Sequence, residues 1–254
     1  MDQFYIIALS AVGGYLALLA AFSYFKRDPA MVGLGWIGSV AISTILSLWW
    51  HEQTTIRPMV ATVLISLWAI RLLTHFFLRY DRNDPRFISW RNQPSAKTLT
   101  TTLTYSVAQL PLIAAMIIPS YLINYYCDPA VRITDIIGLA LWTIGFGYEA
   151  LSDYQLLRFL KHRNNSNQVL MTGLWHYSRH PNYFGEIVMW TGLACMALLL
   201  PYGYYALIAP AAITIWLVGI VGVPWVETAM GHLPEYQEYQ RATSMIIPLP
   251  SKKV

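Results

Sequence analysis

Long apolar runs, broken by short polar ones, set the pattern of this chain. Runs of membrane-crossing length occur at 4–25, 31–50, 58–78, 103–125, 133–151, 183–200 and 202–224. A crossing helix takes about 20 mostly apolar residues. The runs are continuous, whereas the strands of a membrane barrel alternate, so the pattern predicts helices. The breaks carry Pro, Asn, Asp and charged residues, which solvate backbone as it leaves a helix. The expected fold is all-α: a polytopic membrane bundle of about seven transmembrane helices, forming one domain over 1–254. Residues 153–163 contain neither Gly nor Pro, so they extend the fifth run as a helix beyond the membrane.

Composition strengthens this reading. Of 254 residues, 56% are apolar and 12% charged, where a soluble domain carries about 25% charged. Charge placement then gives a topology, because cytoplasmic loops collect Lys and Arg. Seven crossings put Arg57 and Arg132 on one side. They put 14 cations on the other: Lys26, Arg27, Arg79, Arg82, Arg86, Arg91, Lys97, Arg158, Lys161, Arg163, Arg179, Arg241, Lys252 and Lys253. The N-terminus is therefore expected outside and the C-terminus in the cytosol, in a multi-pass integral membrane protein. The first run lacks a basic leader and reads as a retained anchor. The net charge of +4 resides in these loops. It calls for contact with membrane lipids and for no nucleic acid. Cys127 and Cys195 have no metal-ligand spacing, and no metal is expected.

Two glycine patterns need a separate reading. Gly33, Gly35 and Gly38 spell GxGxxG, and Gly145, Gly147 and Ala150 spell its alanine variant. That motif binds dinucleotides only between a strand and a helix. In apolar runs, small residues let helices approach closely. His51 and Glu52, beside Trp49 and Trp50, read as an interfacial cap.

Ionisable residues inside spans mark functional sites. Here they are Arg71 in the third run, Glu149 and Asp153 one turn apart on the fifth, Glu186 on the sixth and Glu227 closing the seventh. The densest polar segment is Gly-Leu-Trp-His-Tyr-Ser-Arg-His-Pro-Asn-Tyr-Phe-Gly-Glu at 173–186. It sets Arg179, His180, Asn182 and Tyr183 at the start of a helix, with Pro181 in the first turn. The helix donors and Arg179 suit a phosphate or carboxylate. Asn182 and Glu186 share a face. Tyr236 and Tyr239 in the tail fit either a cofactor groove or an interfacial anchor.

The 173–186 run resembles the C-terminal signature of the steroid 5-alpha-reductase-like membrane proteins, closest to their bacterial branch of uncharacterised members. Leu67 to Leu72, Asp84 to Phe87, Gln109, Glu149, Asp153, Phe159, Glu227, Tyr236, Tyr239 and Ile247-Pro248 agree in order, so the resemblance covers 58–250. It implies an NADPH-dependent reductase of a lipid-like enone, with hydride delivered to a carbon–carbon double bond. Carried over, the cofactor residues are Arg71, Asp84, Arg86, Glu149, Asp153, Lys161, Arg179, His180, Asn182, Tyr183, Glu186, Glu227, Tyr236 and Tyr239, with Lys161 and Arg179 toward phosphate. Steroid-active members hold the ketone with a Glu on the second span and a Tyr on the third. Here the second span offers no carboxylate and the third-span position is Trp68. Tyr148 and Tyr183 are candidate acids by proximity in sequence. Isoprenylcysteine carboxyl methyltransferase-like proteins, which bind S-adenosylmethionine, share the Arg-His-Pro-x-Tyr run and the late Glu with Tyr-x-x-Tyr. A methyltransferase and a non-catalytic lipid-binding membrane protein are the alternative readings.

Overall fold

The computed structural model describes residues 2–26, 28–51, 55–80, 95–163, 165 and 168–251. Their regular structure is all helical. Among them, five segments are long and apolar enough to cross a membrane: Ile6–Lys26, Met31–Trp50, Ile56–Arg79, Leu99–Tyr126 and Gly203–Met230. These are the first four expected spans and the last. The fifth expected span is the first part of a 30-residue helix that carries Asp135, Glu149 and Asp153. The sixth falls on a helix of 17 residues, short of the roughly 20 that a crossing takes. The chain divides into two compact units, Met1–Val131 with Leu199–Ala206, and Arg132–Leu198 with Leu207–Val254.

The first unit holds α1 (Asp2–Lys26), α2 (Gly35–Trp50), α3 (Ile56–Arg79), α4 (Ser95–Ala108) and α5 (Leu110–Tyr126). Its core gathers Val40, Ile65, Trp68, Met116 and Ile123, all fully buried. Trp36 and Trp68 meet with ring centroids 5.3 Å apart. α1 exposes Leu9, Leu18, Phe22 and Phe25, the side chains a lipid-facing helix presents. Alternating crossings are visible in the ties between helix ends. Tyr80, just past α3, donates its hydroxyl to Asp28, just past α1. Arg57, at the start of α3, pairs with Asp128 at 3.6 Å and donates to the carbonyl of Ala130 beyond α5. One of the two cations expected on the outer side is thus neutralised in place.

The fourth span is broken into α4 and α5 at Gln109, two residues before Pro111, which has no N–H to continue the helix. The Gln109 amide nitrogen donates to the carbonyls of Val32 at 3.1 Å and Tyr105 at 3.0 Å. Its oxygen accepts the Trp36 N–H at 3.0 Å, one of the donors that the first turn of α2 leaves open. Gln109→Leu removes all three bonds from a buried position. Losing the partners of buried backbone groups is expected to cost about 2–3 kcal/mol, read as a lowered midpoint in thermal unfolding.

The second unit is built on an antiparallel pair, α6 (Ile133–His162) and α7 (Pro181–Ala197). α6 continues to His162, as the unbroken 153–163 segment predicts. Glycines set its approach to α7. Gly138 faces Gly192 and Gly145 faces Gly185, seven residues apart on each helix; a Cβ on Gly145 would lie 2.5 Å from the Gly185 carbonyl and 2.5 Å from the Met189 nitrogen. Close packing also accounts for Gly35, against Leu16 and Gln109, and for Gly38, against Tyr15. It does not account for Gly33 or Gly147, which have nothing within 4 Å. The last span is irregular. It runs through α8 (Ile208–Thr214), a π-helical turn at Ile215–Ile220 and α9 (Gly222–Met230). α10 (Pro234–Ala242) and the tail follow.

Candidate functional site

The end of the α6–α7 pair that carries Glu149 and Asp153 is polar and closed. Both carboxylates are buried, at 2% and 4% exposure. Gly185 brings α7 against them; a Cβ there would lie 2.6 Å from the Glu149 nitrogen and 2.9 Å from its Cβ. Asn182 and Glu186 flank Gly185 one turn apart. Glu186 is buried, and the Asn182 Oδ1 is buried with no hydrogen-bond partner. Four acceptor-bearing side chains therefore meet at one place on this hairpin.

The connection into α7 is pinned just beyond them. Gly173 has φ +65°, and a Cβ on it would lie 2.6 Å from Gln155. Gln155 accepts the Leu174 N–H at 2.9 Å, and Trp175 Nε1 donates to the Ser152 carbonyl at 3.1 Å. The C-terminal tail clasps the next residues. The N–H groups of Arg179 and His180 donate to the carbonyls of Ser244 (2.8 Å) and Met245 (3.1 Å), and the Leu249 N–H donates to Tyr177 at 3.0 Å. Ser178 Oγ donates to the Ile246 carbonyl at 2.8 Å.

Glu227 is the hub of this region. Arg179 Nε and Nη2 both lie 2.8 Å from its Oε1. His180 Nε2 lies 3.3 Å from the same oxygen, and Gln240 Nε2 donates to Oε2 at 3.0 Å. Arg179 Nη1 donates to the carbonyls of Thr243 (2.6 Å) and Gln240 (3.1 Å) where α10 ends. Four of the five guanidinium N–H donors are thus engaged within the protein. Tyr183 stacks on His180, with centroids 5.1 Å apart and planes 2° from parallel, and lies against Gly222. Tyr239 donates its hydroxyl to the Trp175 carbonyl. Burial, and then the Glu227 carboxylate, push the Tyr236 phenol up to about 12. Burial and then Tyr236 push Tyr239 up as well. Both remain neutral hydrogen-bond donors at physiological pH.

The second unit thus brings the expected residues together in two groups: Glu149, Asp153, Asn182 and Glu186 at the hairpin, and Arg179, His180, Tyr183, Glu227, Tyr236 and Tyr239 at the tail. Lys161 is exposed near the end of α6 with Arg158 and Arg163. Tyr148 sits edge-on to Phe184, centroids 5.4 Å apart. Arg71 lies on α3 in the first unit, half-buried, one turn before His75. Asp84 and Arg86 lie outside the described residues, as does Glu52. Both cysteines are free thiols, and among the described residues no cluster has the make-up of a metal site. Sequence reasoning missed Gln240, although it lies one turn from Tyr236 on the same helix face. It also missed the carbonyls of Gln240 and Thr243, which side-chain patterns do not reveal.

These features define a helical membrane protein with a buried polar site at the end of a helix pair. The chain matches, over residues 20–243, the family described as "Protein of unknown function (DUF1295)", and it belongs to that family. No curated protein matches the chain.

Proposed function

We propose that this protein is a membrane-embedded reductase, akin to the steroid 5-alpha-reductase-like proteins, that uses NADPH to reduce a carbon–carbon double bond in a lipid-like enone. The observation that carries this reading is the acceptor-rich group of Glu149, Asp153, Asn182 and Glu186. Buried carboxylates and an amide oxygen suit a ligand rich in hydroxyl and amine hydrogens, as ribose and carboxamide groups are. The Asn182 Oδ1, buried without a partner, fits such a ligand. Lys161, Arg158 and Arg163 provide exposed cations for phosphate. Arg179 is already engaged by Glu227, so its role in this reading is to hold the tail against α7. The Tyr183 ring, fixed between His180 and Gly222, offers a flat surface for a planar ring. When bound, NADPH supplies the hydride; the protein orients it and keeps water away. With α6 and α7 both crossing as a pair, the bundle has seven spans, an outer N-terminus and a cytosolic C-terminus, in keeping with a bacterial inner-membrane protein.

One observation favours a second reading. The Arg179–His180–Glu227 group with Tyr236 and Tyr239 coincides with the part of the pattern shared with S-adenosylmethionine-dependent methyltransferases. A thermal-shift assay separates the two. A ligand selective for the folded state, present at about 100 times its Kd, stabilises by about 2.7 kcal/mol. NADPH is expected to raise the unfolding midpoint of the purified protein, and Asn182→Ala and Glu186→Ala to weaken that effect at least about tenfold in apparent Kd, the loss of one good hydrogen bond. Protection by S-adenosylmethionine and not by NADPH would transfer the assignment to the methyltransferase. Protection by neither would leave a non-catalytic lipid-binding protein.

A further inference from the structure

Beyond α10 the chain displays large apolar side chains instead of covering them. Met245, Ile247 and Leu249 are 38%, 62% and 52% exposed, while Ile246 and Pro248 between them are half-buried. Single exposed apolar side chains are ordinary, but three within residues 245–249 form a patch, and such patches mark interaction surfaces. The exposed face of α10, just before it, is polar by contrast: Glu235, Gln237, Glu238 and Arg241. The patch is carried by a pinned loop. Ser251 Oγ donates to the Ala242 carbonyl at 3.3 Å and closes the loop on itself. The Met245 and Ile246 carbonyls accept from Ser178 Oγ at 3.2 and 2.8 Å. The Leu249 N–H reaches Tyr177, which is itself exposed.

Direct contacts fix the height of this loop along the unit. Arg179 donates to the Thr243 carbonyl at 2.6 Å and lies 2.8 Å from Glu227. Glu227 is in the last turn of Gly203–Met230, a segment long and apolar enough to cross a membrane. Thr243 and the loop that follows it therefore sit where that segment reaches the membrane boundary. Trp225 and Tyr177, both exposed at this level, are the residue types that gather at such a boundary. Further along the same segment Ile215 and Ile220 are exposed, as side chains facing lipid are. Charge agrees with this placement. Arg241 is exposed just before the loop, and the sequence continues after it with Lys252 and Lys253; cations here suit anionic headgroups.

We propose that the loop at 243–249 is a membrane-surface contact whose partner is a bilayer carrying anionic phospholipid. Met245, Ile247 and Leu249 enter the boundary between headgroups and acyl chains, and Arg241, Lys252 and Lys253 meet the headgroups. Apolar side chains gain by leaving water for that boundary. The backbone can follow them because its polar groups are already served within the protein. The carbonyls of Ser244, Met245 and Ile246 accept from the Arg179 and His180 N–H groups and from Ser178, and the Leu249 N–H is bonded to Tyr177. The contact stands apart from the nucleotide reading, since it needs only that Gly203–Met230 crosses a membrane. Protection by NADPH can fail while the contact holds, and the reverse.

The test uses the full chain in nanodiscs of phosphatidylcholine and phosphatidylglycerol. They are doped with a phospholipid that carries an aryl diazirine near the top of one acyl chain. Trypsin cuts after Arg241 and separates the tail from α10, and mass spectrometry assigns the labelled residues. Met245, Ile247 and Leu249 are expected to be labelled at least about fivefold more than the exposed face of α10, with the Gly203–Met230 segment labelled as the control. Ile247→Glu with Leu249→Glu, both at exposed positions, is expected to cut tail labelling about fivefold or more, because a carboxylate is drawn back to water. A tail left unlabelled while the control segment is labelled would overturn the proposal. A water-soluble diazirine then tells which occupant replaces lipid: modification of Ile247 means water, and its protection means another part of the chain. Undiminished labelling of the double variant would overturn the proposal as well, since the apolar side chains would not be what makes the contact. The first comparison is made on the wild-type chain, so it does not depend on a variant folding.

Discussion

Gly185→Ala is expected to destabilise the protein by about 3 kcal/mol, the upper end of what overpacking a close-packed interior costs, whereas Gly147→Ala is expected to stabilise it slightly. The substitution is the same, and both glycines are helical. The surroundings differ. A Cβ on Gly185 would lie 2.6 Å from the Glu149 nitrogen and 2.7 Å from the Gly145 carbonyl. Both are backbone atoms and cannot rotate aside, so α6 and α7 must separate. Gly147 has nothing within 4 Å, and there alanine gains about 0.5–1 kcal/mol of helix propensity. Thermal unfolding followed by tryptophan fluorescence reads both, since Trp142 and Trp190 are buried on these helices. Equal midpoints for the two variants would mean that the helices are not in contact at Gly185. The consequence reaches the site, because the approach at Gly185 places Asn182 and Glu186 beside Glu149. Under the nucleotide reading, Gly185→Ala should also lose protection by NADPH even where it remains folded.

The sequence-level reading succeeded where a single run of residues carries the information. Five spans are legible because each falls in one long apolar run, and the extension of α6 is legible because nothing in 153–163 breaks a helix. Asn182 and Glu186 are legible as a pair because four residues make one turn. The reading fell short where structure depends on partners distant in sequence. Arg179 reads as an open phosphate ligand, since Lys and Arg beside a helix start suit anions. In the folded chain Glu227, 48 residues away, and the carbonyls at the end of α10 engage it first. The glycine patterns show the same limit. Gly145 and Gly147 are equivalent in sequence, yet one faces α7 and the other faces nothing, and only the rotation of the helix about its axis distinguishes them. The break between α4 and α5 has a local cause in Pro111, which has no N–H for the carbonyl four residues back and opens the new helix in its first turn. What one run of residues does not reveal is that Gln109, at the break, serves the first turn of α2. The π-helical turn at Ile215–Ile220 lies in an apolar run where Gly219, Gly222 and Pro224 mark a weak point in the helix without specifying the form it takes.

Arg179→Ala is expected to cost about 3 kcal/mol, and Arg179→Lys nearly as much. Removing one member of a buried ion pair costs roughly 3–5 kcal/mol, because the other charge stays behind. The lower end applies because the Glu227 side chain is 20% exposed and keeps His180 and Gln240 as partners. Lysine retains the charge. It cannot reproduce the fork by which Nε and Nη2 meet Glu227 while Nη1 reaches the carbonyls of Gln240 and Thr243. The double variant Arg179→Met with Glu227→Leu removes both charges at once and leaves no buried carboxylate unpaired. It is expected to be more stable than Arg179→Ala, an order opposite to that of simply adding two losses. Proteolysis of the tail after Ala242 supplies the second measurement. The clasp of Ser244 to Leu249 on Tyr177 to His180 is anchored by Arg179, so cleavage should accelerate in Arg179→Ala while the α6–α7 pair stays resistant. If Arg179→Ala unfolded no more easily than wild type and its tail were equally protected, the ion pair would be a surface contact of little energetic weight. The tail would then be held by its backbone hydrogen bonds alone.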